Sequence, residues 1–581
     1  MCKKLLVFLL FGIVFAGCKK NLSPLDDNHR TLEGIYNDPY YAEGILMNAY
    51  ARLTTNGYSF SEVATDDAVT NDKFSPLLNM ATGSWSAANN PMDQWTNSYT
   101  AIIYMNLFLK EVDTVNWSYL NKDVNILFKD RLKGETYGLR GLFMLNLLQA
   151  HAGNTTSGEL LGVPIITEPL DPNSDFSRPR NTFAQCIQQI YSDLDLAEKY
   201  LPLDYSDIAA AQIPAKYTGM AVADYNRVFG NFNRERVSAR IVKAIRARAA
   251  LLAASPAFNP QGTPDKWQDA ANFSGNVLTL NGGIAGLDPQ GALFYTAANV
   301  NAINLASNID QKEMLWRGSI GTSNSIEQTN FPPTLYGNGR VNPTQNLVDA
   351  FPMANGYPIT DIASGYVSTN PYNGRDPRLK NYILVNGGSI SNKTIFTKSD
   401  APTNDAVNML PTSTRTGYYL RKLLREDVNA NPTSSTVQKH YPVHIRYTEM
   451  FLIYAEAANE AWGPDGMGTY GFSARNVIAA IRKRAGITQP DNYLASITNK
   501  DDMRKLIHNE RRLELSFEGF RFWDLRRWKD ILTEQAKGVI INNNVYTVQP
   551  IENRQYSDYM YYGPIPLSEV LKFKLQQNKG W

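Results

Sequence analysis

The chain is short of the groups that carry most catalytic and redox chemistry. Its 581 residues hold 3 cysteines, Cys2, Cys18 and Cys186. If Cys2 leaves with an amino-terminal leader and Cys18 is acylated, no intramolecular disulfide can form, so stability must come from the apolar core. Cys186 stands alone in a helical pattern, the setting of a core filler rather than a nucleophile. The 5 histidines (His29, His151, His440, His444, His508) are scattered. His440 and His444 have helical spacing, but Pro442 between them breaks a regular helix, so no metal-ligand pair is read there. HExxH, GxSxG, a P-loop and CxxC are all missing, and the residues call for no cofactor. The string "GMGTYG" (466–471) matches the dinucleotide fingerprint, but it follows a helix rather than a strand and reads as an inter-helix loop. Net charge is missing too. The formal +2 falls to zero once Lys3 and Lys4 leave with the leader, which excludes a general polyanion or nucleic-acid binder.

Long apolar runs are confined to the start. "MCKKLLVFLLFGIVFAGC" has a basic opening, an apolar run from Leu5 to Ala16 too short for a permanent span, and small residues directly before Cys18. The pattern resembles a bacterial lipobox and implies a leader over 1–17, lipidation at Cys18, and an anchor and linker over 18–40. The alternative is an ordinary cleaved leader with Cys18 a leftover thiol. No later segment is apolar enough to cross a bilayer, so the expected protein is an exported body tethered by lipid.

What the chain does have is rings and helices. Aromatics make up 11%, with 32 tyrosines, and glycine and asparagine crowd the same loops. Flat rings with amides beside them suit a neutral, hydroxyl-rich ligand; the alternative is that a large core needs rings. Helical periodicity is read at 41–53, 92–112, 124–151, 183–200, 238–254, 266–279, 445–462, 473–485 and 500–518. The alanine-rich inward face of 445–462 suits stacked helix hairpins of the tetratricopeptide type. Between 281 and 443 the composition turns to Gly, Pro, Asn, Ser and Tyr, read as a loop-rich subdomain with short helices and hairpins. The expected fold class is all-α, with 41–280 and 281–581 as its two regions and the helices of the second over 445–528.

A glycan-cleaving enzyme would need two carboxylates facing across a cleft. The candidates are Asp66 with Asp67 and Glu456 with Glu460. Neither spacing makes a catalytic dyad by itself. The densest stretch, "NERRLELSFEGFRFWDLRRW" (509–528), sets four acids among five arginines, which argues against a phosphate-binding surface and for a structural knot. Here Gly519 is expected to end the helix, Arg521 to pair with Asp524, and Phe522, Trp523 and Trp528 to bury.

That stretch, with "PTQNLVDAFPMANG", "NGRDPRL", "TGYYLRK", "IRYTEMFLIYAEAANEA" and the closing "PIPLSEVLKFKLQQNKGW", resembles the SusD/RagB-like outer-membrane lipoproteins of Bacteroidetes nutrient-uptake systems. "ETYGLRGLFMLNLLQAHAG", "GVPIIT" and "FAQCIQQIYSDLDLAEKYLP" extend the resemblance upstream. It implies four tetratricopeptide-like helix pairs carrying a loop-rich ligand face. It also implies a non-catalytic lipoprotein on the outward face of the outer membrane that captures oligosaccharide, or in some members peptide, for a SusC-like TonB-dependent transporter.

Family ligand sites draw on loops after the first helix and in the middle of the chain. The nominated ligand residues are therefore Asp67, Trp85, Asn89 and Asn90, then Tyr295, Trp316, Tyr336 and Arg340. A sugar stacks on rings through its C–H face while amides and the guanidinium set orientation. For Trp85, Trp316 and Tyr336 the competing reading is core packing, and Trp95 and Tyr99 are read as framework.

Overall fold

The structure, a computed structural model, describes residues 38–53, 59–171, 173–307 and 309–581. The leader expected over 1–17 and the lipidation site expected at Cys18 lie outside the described residues. The longer helices are α1 (Pro39–Tyr50), α2 (Trp95–Glu111), α3 (Lys122–His151), α4 (Phe183–Tyr200), α5 (Val222–Phe229), α6 (Ala239–Ala254), α7 (Pro264–Leu280), α8 (Tyr447–Trp462), α9 (Ala474–Ala485), α10 (Lys500–Glu514) and α11 (Arg521–Trp528). No helix among the described residues is long and apolar enough to cross a membrane.

Local chemistry sets several of these boundaries. Asn121 accepts from the backbone N–H groups of Asp123 and Val124 to open α3, and Thr182 with Gln185 forms a capping box at α4. Along α3, glycines bring the neighbours close. A Cβ on Gly138 would stand 2.9 Å from Val237 Cγ1, and one on Gly141 would stand 2.9 Å from Leu194 Cδ2 of α4. Consecutive helices pack on each other, α2 on α3, α3 on α4 and α6 on α7, while α8 is wrapped by α7, α9 and α10. Every residue of α8 from Tyr447 to Asn459 is buried, so this helix is central rather than one-sided as its periodicity reads. Cys186 is fully buried, donates to Val163 O, and burial pushes its thiol up to about 11; it is a core filler.

The strands are short and include β1 (Ala68–Thr70), β2 (Met314–Arg317), β3 (Val341–Pro343), β4 (Val443–Arg446), β5 (Ala536–Asn542) and β6 (Val545–Glu552). All ladders among the described residues are two-stranded. β1 pairs antiparallel with β3, β2 with β4, and β5 with β6. The β5–β6 hairpin turns on Asn543 and Asn544, both at positive φ, as a tight hairpin turn requires. The loop-rich segment has its own core, including Phe331, Phe351, Tyr382, Tyr418 and Tyr419.

The knot is a buried ion network. Arg378 reaches Asp376 (2.6 Å), Glu510 (2.9 Å) and Glu514 (3.1 Å). Arg446 reaches Glu313 and Glu518 (2.7 Å each), and Arg484 reaches Glu514 (2.9 Å). Thus the acids of α10 and the turn after it bind arginines from three separate parts of the chain. The expected details differ in three ways. α10 stops at Glu514, because Phe517 already takes a left-handed φ of 64° and Gly519 follows in the turn at 84°. Arg521 pairs with Asp66 rather than Asp524, which is taken by Arg511 and Arg527. Phe522 and Trp528 bury, whereas Trp523 stays half-exposed.

Candidate functional site

The β1–β3 pairing carries Asn71 to the loop before β3, and Asn71 then ties three loops together. Its Nδ2 donates to the carbonyls of Asn338 (2.9 Å), Gly339 (3.0 Å) and Ser413 (3.2 Å), and its Oδ1 accepts from Arg340 Nη1 (3.1 Å). Arg415 Nη1 closes the same corner by donating to Thr70 O (2.7 Å) and Glu552 Oε2 (2.7 Å). Gly339 sits at φ 52°, where a Cβ would meet Thr412 O at 2.5 Å, so the approach of the second and third loops requires glycine. These loops leave large apolar groups in solvent: Phe74 is 89% exposed, Tyr336 57% and Met409 49%. Phe74 is presented by a turn in which its N–H donates to Asp72 Oδ1 (3.0 Å). Tyr336 closes a short turn at φ 64°, a left-handed conformation that a bulky residue rarely takes.

Of the nominated ligand residues, only Tyr336 and Arg340 come together on this face. Asp67 is fully buried and its carboxylate accepts from Arg512 Nε (2.7 Å). Trp85 is packed edge-on by Phe522, Tyr556 and Trp581, with the Arg526 guanidinium over its ring. Its indole N–H donates to Asn90 Oδ1 (2.9 Å), which also caps Met92. Tyr295 lies in the interior against His440 and Tyr441. Trp316 is sealed under His444 and donates to Glu235 O (3.0 Å). Asp67, Trp85, Tyr295 and Trp316 are therefore corrected from ligand contacts to framework, since no ring face or carboxylate edge is left open. Asn89 is exposed in the turn after Trp85, where its amide closes on Ser84 O. Sequence reasoning missed Asn71 and Phe74; the available signal was a phenylalanine in the polar turn "TNDKFSP".

The two acid pairs are also accounted for. Burial would raise Glu456, but Arg527 outweighs it and holds the carboxyl at about 2. Glu460 is bound by Arg504 at 2.6 and 2.7 Å. Burial also opposes ionisation of Asp66, yet Arg512 and Arg521 keep it well below the usual range. Asp67 is pushed up by burial, with the Asp66 charge adding to it, and it has no surface at which to meet a substrate.

Comparison with known proteins gives a consistent picture. Residues 304–581 match the model described as the SusD family, and residues 39–229 match one described as "Starch-binding associating with outer membrane". A SusD-like protein P38 of Formosa agariphila is 39% identical over 85 residues, 14% of this chain, and the match spans only 16% of that relative's length. Among solved structures, a SusD-like protein of Bacteroides fragilis is similar with a TM-score of 0.73 at 22% identity, covering 96% of this chain and 100% of that one. A SusD-like carbohydrate binding protein of the same species gives 0.68 at 20% identity, covering 92% and 98%.

Proposed function

The chain belongs to the SusD family, and we propose that it is a non-catalytic, outer-membrane lipoprotein that captures oligosaccharide and passes it to a SusC-like TonB-dependent transporter. The observation that carries the reading is Tyr336, an exposed ring held at a left-handed φ in the loop that Asn71 ties down through Arg340. A bulky residue in that conformation is strained, and strain at an exposed ring points to use of the ring rather than to packing. The ring offers a stacking face, and Arg340 has N–H groups beyond the one given to Asn71 for sugar hydroxyls. The carbohydrate-binding name of a structural neighbour and the outer-membrane description of a matching family model support the class of ligand and the location. Lipidation at Cys18 would supply the tether.

Titration calorimetry of the protein against neutral oligosaccharides and peptides tests this. Saturable heat with an oligosaccharide recovered intact, weakened at least tenfold by Tyr336→Ala, is expected. Saturation by peptides alone would reassign the ligand class, and steady heat flow with altered sugar would replace capture by cleavage. Loss of lipid labelling in Cys18→Ser and co-purification with a transporter test the tether and the partner.

A further inference from the structure

A second cavity, separate from the Tyr336 face, lies inside the helical frame where α3, α6 and the start of α8 meet the knot. It has a volume of about 300 Å³, at the small end of ligand-sized pockets. Its carboxylates are all engaged. Glu449 accepts from Arg248 at 2.7 and 2.5 Å, Glu518 from Arg446 at 2.9 and 2.7 Å, and Asp524 from Arg511 and Arg527 at 2.8 and 2.7 Å. Its donors are not. Arg511, only 3% exposed, gives Nε to Asp524 and leaves Nη1 with no hydrogen-bond partner. The side-chain amides of Asn146 and Gln149 on α3 and the indole N–H of half-exposed Trp523 line the same space, and none of them donates to the protein. A donor on a cavity wall without a protein partner is left to whatever enters the cavity, and it gains from an acceptor there.

The occupant must be rich in acceptors, because every protein carboxylate on the wall is already spoken for. A sugar hydroxyl brings one donor for each oxygen and would compete with these N–H groups, whereas a carboxylate brings acceptors only. Arginine meets a carboxylate with strong, directional bonds. Glu456 behind the wall also faces Arg527, so the selectivity comes from the unpaired donors rather than from an excess of charge. Leu142, Leu145 and Phe520 on the same wall give an apolar side against which a ring can rest. We infer that this cleft is a binding site for one small carboxylated molecule of monosaccharide size, a sugar acid or hydroxy acid, held through its carboxylate by Arg511 with Gln149 and Asn146.

The test is calorimetry of the full chain purified in detergent, using sodium glucuronate, sodium lactate and glucose as probes. Glucuronate should bind one to one, at least tenfold more tightly than glucose, and should persist in Tyr336→Ala, which separates this site from the surface face. Lactate binding of similar strength would place recognition in the carboxylate with its hydroxyl, and lactate inactivity would add the ring. Arg511→Lys should weaken glucuronate at least tenfold. Because Arg511 belongs to the ion network, Gln149→Leu, outside that network, provides the second variant and should weaken it several-fold with the melting temperature unchanged. Absence of saturable glucuronate heat, equal affinity for glucose, or full affinity in Gln149→Leu would overturn the inference and leave the cavity to water.

Discussion

The knot and the Tyr336 face are built from similar residue types and do opposite things. Both use arginine beside aromatic rings. In the knot most guanidiniums have carboxylate partners, Arg526 with Phe522 O being an exception, and most rings are covered, so the chemistry is turned largely inward: Arg378 alone engages Asp376, Glu510 and Glu514. On the face, Arg340 is bonded to Asn71 through Nη1 and the rings of Phe74 and Tyr336 stand in water. The difference teaches that density of charge and rings marks where the fold is locked, while a sparse, polar loop with one ring out of place is where we propose that a ligand acts.

The sharpest way to break this contrast is to remove an acid from the knot. Glu514→Ala leaves Arg484 with Glu313 at 3.6 Å as its remaining carboxylate and takes one of three acids from Arg378, and breaking a buried ion pair typically costs about 3–5 kcal/mol. Denaturant unfolding should show that loss, or the variant should fail to fold; a change within about 0.5 kcal/mol would mean that the network is not structural. Trp85→Ala comes next. Its ring is 5% exposed among Phe522, Tyr556 and Trp581, so a loss of about 3 kcal/mol or more is expected. Oligosaccharide affinity of the folded variant should stay as in the wild type, and a large drop would return Trp85 to the ligand site.

How much of this could be read beforehand depended on the range of the interactions. The helix at 183–200 was legible to the residue because its stripe and capping box are local, and the structure gives Phe183–Tyr200. The short helices Val222–Phe229 and Arg521–Trp528 and the β5–β6 hairpin were not legible, since each is fixed by tertiary packing rather than by a long period. The proposed site was legible only in part for the same reason. Trp85 and Phe74 both sit in loops rich in small and polar residues. What buries the first is Trp581 at the far end of the chain, a contact no local pattern encodes. Asp67 looked free until Arg512, 445 positions away, was placed against it.

Acid and base should pull the knot in different directions. Burial raises Glu514, but Arg484, Arg378 and Arg446 outweigh it and hold the carboxyl at about 2. Its stabilising contribution is therefore complete above the unfolded value near 4.5 and is lost as pH falls toward 2. Glu62, beside the same turn and accepting from Gly519 N–H (2.8 Å), is pushed by burial up to about 7. Here the sign reverses: its contribution is complete below about 4.5 and is lost as pH rises through 7. A shift of that size corresponds to about 3 kcal/mol. Glu62→Gln should thus gain stability at pH 8, gain little at pH 4, and flatten the slope between 4.5 and 7. An unchanged slope would show that Glu62 does not bind a proton in that range.

The smallest expected effect is the most informative about function. Tyr336 is strained because its φ is 64°, and glycine adopts that conformation without the penalty of roughly 1 kcal/mol that an L side chain meets there. Against this, glycine makes the unfolded chain more flexible by a similar amount. Tyr336→Gly should therefore leave stability within about 0.5 kcal/mol of the wild type while weakening oligosaccharide binding at least tenfold. Such a split would mean that the ring is kept for the ligand. If stability fell by several kcal/mol instead, the tyrosine would be packing the loop, and the contrast between a locked knot and an open face would lose its second half.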